Sequence, residues 1–157
     1  MINKQDIKNL IITKQQELNN LQEQYNQEVE KEKTAVLKTK GFDKVLYLLS
    51  FEFESSTTHT AQYLEFYKIF KKEFKVVLKP YCKEILINKN HFYISGFFRL
   101  NDNRVYYFSI GDLRLNKDNL LIRTAKDFKD YSGGSNNYIS LNENFINNLI
   151  KYLNPIR

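Results

Sequence analysis

The chain runs through its first 40 residues without a glycine or a proline; Gly41 is the first of either. An unbroken polar stretch with apolar residues at heptad spacing has few solutions, and residues 3 to 38 are predicted to form one long helix. Asn3 is placed to cap it, and Asp6 stands in the first turn, where a carboxylate complements the helix dipole. Ile7, Ile11, Leu18, Leu21 and Tyr25 fall on a and d positions with Leu10 beside them, while Lys14 and Glu28 interrupt the d series. So narrow a stripe rarely supports a long helix alone. It predicts self-association as a coiled coil with those five residues as the seam, the alternative being that the helix packs back along its own chain.

Thr39-Lys40-Gly41 then reads as a hinge, dividing the chain into a helical dimerisation arm (1–40) and a second domain (41–157). Val45, Tyr47, Leu49, Phe51 and Phe53 alternate with their neighbours as a strand would. The Ser55-Ser56-Thr57-Thr58 cluster offers N-caps for a helix from about His59 to Phe74, whose apolar face is Tyr63, Phe66, Tyr67, Phe70 and Phe74. Short apolar runs follow at Val76–Leu78, before Pro80, and at Glu84–Ile87. Two longer strands, about Phe92–Leu100 and Arg104–Ile110, flank the turn signal Asn101-Asp102-Asn103. A further strand is expected over Leu120–Thr124. Ser140 and Glu143 have capping-box spacing before a final helix with Phe145, Ile146, Leu149, Ile150 and Leu153 on one face and Pro155 as its stop. This order implies an α+β fold: a mainly antiparallel sheet with helices packed on one face, preceded by the long N-terminal helix.

With 157 residues and 15% aromatic side chains, the chain is large enough for a real core. A domain of this size buries roughly 68–70% of its unfolded surface. No apolar run approaches the ~20 residues of a membrane span, and the N-terminus lacks the apolar region of a secretory signal. The lone cysteine, Cys82, cannot close an internal disulfide and suits a reducing compartment. A folded cytoplasmic protein without a cofactor is expected.

The formal charge is +6 with a pI near 9.2, which favours acidic partners. Abundant Lys, Asn, Ile and Tyr also follow from AT-rich codons, so the total matters less than its distribution. Residues 1–41 carry 7 basic and 6 acidic side chains, whereas Lys68 to Lys89 holds 7 lysines against Glu73 and Glu84 alone. Lys68, Lys71, Lys72 and Lys75 are the candidate phosphate contacts; a solvated helix face is the plain alternative.

With a two-residue turn at Asp102-Asn103, Arg99 would face Tyr106, Phe97 would face Phe108, and Ser95 would face Ile110. Phe97, Arg99 and Tyr106 would then share a platform on which bases stack while Arg99 and Arg104 meet phosphates. Burial of both sheet faces is the competing reading, and a one-residue slip would exchange the faces. Gly133-Gly134 is a loop candidate for anion contact, with Arg123, Lys126 and Lys129 preceding it. Asp127 and Asp130 oppose an anion there, and a structural glycine turn is the reading the sequence favours for the pair.

Catalytic signals are weak. His59 and His91 lack metal-ligand spacing with Cys82, and no spacing marks Glu52, Glu54, Asp112 and Asp118 as a metal site. The sequence therefore favours a non-enzymatic binding module, foremost for nucleic acid through a basic, aromatic surface. A protein–protein adaptor or assembly factor using the N-terminal helix and the aromatic sheet face is the alternative. A metal-dependent nuclease or transferase comes third.

Overall fold

The computed structural model describes residues 1–53, 60–90 and 93–155. The Ser55–Thr58 caps, Glu54, His59, His91 and Phe92 lie outside them. The chain forms two compact units, Met1–Thr39 and Lys40–Arg157. Among the described residues no helix is long and apolar enough to cross a membrane.

The first unit is helix α1, Lys4–Leu37. A reciprocal capping box starts it: the Asn3 side chain accepts from the Asp6 N–H at 2.9 Å, and the Asp6 carboxylate accepts from the Asn3 N–H at 3.3 Å. Side-chain pairs one turn apart run along it, including Gln5–Asn9, Gln15–Asn19 and Gln22–Asn26 hydrogen bonds and Lys14–Glu17 and Lys31–Glu28 ion pairs. Each contributes ~0.2–0.5 kcal/mol. No residue of α1 is buried.

The second unit begins with helix α2, Asp43–Leu49, where alternation predicted a strand. Val45, Leu48 and Leu49 are all buried, and with buried Phe42 they recur at intervals of three and four, the helical period. A short run apolar at every position fits both periods, and tertiary packing decides between them. Lys44 on α2 pairs with Glu73 on the next helix at 2.8 Å, both buried. Removing either partner would leave a buried charge uncompensated, at a cost of roughly 3–5 kcal/mol.

Helix α3, Ala61–Leu78, is capped by Thr60, whose hydroxyl accepts from the Tyr63 N–H at 3.3 Å. It extends through the Val76–Leu78 run, which was expected to lie beyond it. Its buried stripe is Tyr63, Phe66, Phe70, Phe74 and Leu78. Five antiparallel strands follow, paired in chain order: β1 Cys82–Lys89, β2 Ile94–Leu100, β3 Val105–Ile110, β4 Asn119–Ala125 and β5 Asn137–Ser140. The four-residue β5 gave no sequence signal. Helix α4, Phe145–Leu153, closes the order.

The capping box expected at Ser140 does not form. Ser140 is the last residue of β5, paired with Asn119, and α4 starts after Asn144 with no side-chain cap bond. Asn142 instead tightens the entry by accepting from the Asn144 N–H at 2.9 Å. Asn154, at φ 43°, ends the helix in the left-handed region ahead of Pro155.

The β2–β3 register also differs from expectation, by one residue. The loop holds three residues, Asn101-Asp102-Asn103, and Asn103 takes φ 76°. A left-handed third residue is the usual geometry of such a loop. Phe98 therefore pairs with Tyr106, Phe97 with Tyr107, and Arg99 with Val105. The slip moves Tyr106 and Phe108 onto the helix-covered inner face and Tyr107 onto the outer one.

The inner face is an aromatic core. Phe74 meets Phe108 at 4.9 Å, Phe70 stacks on Phe74 at 5.0 Å, and Phe42 stacks on Phe145 at 4.9 Å. Such pairs contribute ~0.5–1.5 kcal/mol beyond their area. Gly96 makes room for this packing: a Cβ there would collide with the Leu86 carbonyl and the Phe108 ring. The outer face is covered differently, by the connection between β4 and β5. Phe128 stacks on Phe97 at 5.6 Å, and Tyr131 meets Phe97 edge-on at 5.2 Å.

Candidate functional site

The lysines of α3 lie away from its aromatic stripe. Lys68 and Lys72 are exposed, and Lys71 and Lys75 half-buried. Lys71, Lys75 and Lys79 follow at four-residue spacing, which stacks them along one side of the helix. The Lys71 ammonium lies 5.7 Å from the Tyr67 ring centroid, so its stem is laid along the helix.

Where α3 ends, the surface opens into a groove of about 340 Å³ between the helix and β1, lined by Lys75, Val76, Lys79, Cys82, Lys83 and Ile85. Lys83 donates to the Asn103 side chain at 2.8 Å. Burial pushes the Cys82 thiol up to about 12. It stays protonated at neutral pH and is a poor nucleophile despite the lysines beside it.

The carboxylates of this segment are turned away. Glu73 points inward to Lys44, and Glu84 pairs with Arg99 at 3.6 Å across the outer face. Among the described residues, none of Lys68, Lys71, Lys72, Lys75 and Lys79 has a carboxylate within ion-pair distance. Apart from Glu73, the acidic residue of the helix is Glu65, one turn before Lys68. The local charge excess counted in the sequence is thus an excess at the surface.

The expected stacking platform is not assembled. Phe97 is fully buried beneath Phe128 and Tyr131. Arg99 shares the outer face, with its guanidinium 5.6 Å from the Phe128 ring centroid. Tyr106 lies on the inner face, buried between Phe98 at 5.6 Å and Tyr152 at 6.0 Å. Arg104 is engaged elsewhere: it pairs with Asp102 at 2.8 Å and donates to the carbonyls of Leu153 and Asn154 at 2.8 and 3.1 Å, fastening the end of α4.

Arg123 and the glycine pair do come together, on the outer face. Arg123 is only 5% exposed; its guanidinium lies 4.3 Å from the Tyr107 ring centroid and donates to the Gly133 carbonyl at 2.6 Å. The connection above it is organised by Asp130, whose carboxylate accepts from the backbone N–H of Lys126, Ser132 and Gly133 at 2.9, 3.2 and 2.8 Å. Those bonds, that of Lys126 foremost, hold the Asp130 carboxyl below the usual range. Gly134 sits at φ 72°, and a Cβ there would lie 2.6 Å from the Thr124 carbonyl oxygen. The Lys126 side chain is exposed.

Asp112, one of the carboxylates considered for a metal, is clamped by Arg114 at 2.6 Å. Among the described residues no three His, Cys, Asp or Glu side chains converge on a common point. Tyr107 and Tyr131 were missed as site residues; the correct register and the fold of the β4–β5 connection were needed to place them. No protein-family model matches the chain, and no curated protein or solved structure shows detectable similarity to it.

Proposed function

We propose that this protein is a non-enzymatic binding module for nucleic acid, engaging the phosphate backbone through the lysine face of α3 and the groove at its end. The observation that carries this reading is the withdrawal of Glu73 and Glu84 from a face whose lysines, Lys68, Lys71, Lys72, Lys75 and Lys79, have no carboxylate partner among the described residues. Ammonium groups on flexible stems neutralise phosphates without reading sequence, and the released counterions make such binding strongly salt-dependent. With Phe97 and Tyr106 buried, base stacking on the sheet has no role in this mechanism. The phosphate backbone supplies the affinity.

The test is fluorescence anisotropy of labelled single- and double-stranded DNA and RNA, titrated with the full chain over a series of salt concentrations. Binding should be present at low salt and weaken steeply as salt rises. Absence of binding at low salt, or affinity indifferent to salt, overturns the proposal.

A second reading rests on α1. Ile7, Ile11, Leu18, Leu21 and Tyr25 are each between 50 and 66% exposed, and their heptad register is one that a second copy matches by symmetry. This reading makes α1 an assembly element. Light scattering should give a dimer mass that Ile11→Lys with Leu18→Lys converts to a monomer; a monomer in the unaltered chain counts against it.

A further inference from the structure

Arg123 is a buried cation whose hydrogen bonding is incomplete. Its Nη1 donates to the Asp130 and Gly133 carbonyls at 3.3 and 2.6 Å. Those are neutral acceptors, and among the described residues no carboxylate lies within ion-pair distance of it. Its Nε and Nη2 have no acceptor among the described residues. Neither nitrogen is sealed from solvent, so a guanidinium held at 5% exposure still presents two free donors to an incoming acceptor.

The side chain lines a polar cleft of about 440 Å³ on the outer face, with Tyr107 and Ser109 on its floor and Tyr131, Gly134 and Asn136 along its rim. That volume suits a small molecule. Tyr107 lies against the guanidinium and fixes its plane, and Tyr131, 62% exposed, stands edge-on to Tyr107 at 6.0 Å as a wall. A fixed planar fork beside an aromatic wall recognises a planar anion by two parallel hydrogen bonds. Asp130 sets a limit on charge. Its field reaches Arg123, so the site already contains one compensating negative charge, which opposes a multiply charged anion more than a singly charged one.

We propose that this cleft is a binding site for a small organic carboxylate, held bidentately by Nε and Nη2 of Arg123 with its apolar body against Tyr131. The site lies on the opposite sheet face from α3 and is independent of the lysine surface. The glycine pair is then part of the site's frame: Gly133 fixes the guanidinium through its carbonyl, and Gly134 permits the tight approach to β4.

The experiment is a titration of the full-length, isotopically labelled protein with sodium benzoate, followed by NMR, with acetate and inorganic phosphate in parallel at matched ionic strength. Benzoate should produce saturable shifts confined to Tyr107, Arg123 and residues 131–136, tighter than acetate and tighter than phosphate. Arg123→Lys should weaken benzoate binding at least ~10-fold, because an ammonium cannot offer the fork. Asn136→Asp, an exposed change that leaves Arg123 in place, should weaken it as well and guards against misreading a folding defect. Replacing the α3 lysines by Gln should leave it unchanged. Absence of saturable shifts, tighter binding of phosphate than of benzoate, or benzoate binding that survives both Arg123→Lys and Asn136→Asp overturns the assignment.

Discussion

The lysines of α3 and the arginine of β4 are cationic regions on opposite faces of one sheet, and they are built by opposite rules. The lysines stand away from the core-packed side of their helix, Lys68 and Lys72 exposed and Lys71 and Lys75 half-buried. Arg123 is enclosed, held by neighbouring carbonyls and a tyrosine ring. A hydrated, mobile charge contributes little to folding and is available to any phosphate. A buried, oriented charge is part of the fold and is available only to a ligand that fits. The two faces of the sheet make this division possible. The inner face has large apolar residues on neighbouring strands and takes helices, whereas the outer face mixes Ser109, Arg123 and Tyr107 among its apolar residues and takes an irregular connection with a cleft.

Stability measurements test this contrast most sharply. Arg123→Ala strips the connection of its anchor and leaves the Asp130 and Gly133 carbonyls without their donor, so it should destabilise the chain by about 2–4 kcal/mol. In a thermal melt that is a fall of roughly 4–16 °C for a chain of this size. Gly134→Ala forces a side chain into a left-handed backbone position against Thr124 and should cost about 1–3 kcal/mol, read from the urea midpoint. The smallest effect belongs to the lysines. Lys68→Gln and Lys72→Gln should each shift stability by less than about 0.5 kcal/mol in the same assay. If the lysine variants proved the more destabilising, the contrast between structural and available charge would be broken.

Acid supplies a further distinction within the outer face. The folded state holds the Asp130 carboxyl below its ordinary value, so its contribution is present above the unfolded carboxylate pKa and is lost as pH falls through the lowered folded value. Once the intrinsic slowing of amide exchange in acid is divided out, protection in residues 126–134 should therefore fall on acidification ahead of protection in α3. Asp130→Asn should remove most of that pH dependence.

Much of this architecture was legible in the sequence wherever the determining interactions are local. Asn3 and Asp6 form their capping box with each other, and the α3 stripe repeats often enough to leave one solution. Legibility failed where a distant partner decides. The residues of α2 satisfy both periods until the core selects the helix. Ser140 and Glu143 have the spacing of a cap, but β4 claims Ser140 for the sheet. The hairpin register turned on a single left-handed residue, Asn103, and with it went the identity of the residues sharing a face with Arg99. At the candidate site, seven lysines over two glutamates could be counted. That both glutamates turn away from the lysines, and that Arg123 is buried, depends on contacts across the sheet and between helices.

The most direct test of the central claim is the salt dependence of nucleic-acid binding in the unaltered chain and in a variant with Lys68, Lys71, Lys72 and Lys75 all changed to Gln. Every phosphate that no longer meets an ammonium should remove about 0.9 from the slope of log affinity against log salt on duplex DNA. If all four lysines touch phosphate, the variant's slope should be shallower by roughly 3–4 with its fold intact. Equal slopes in the two proteins would contradict the account and move the search for a partner to α1.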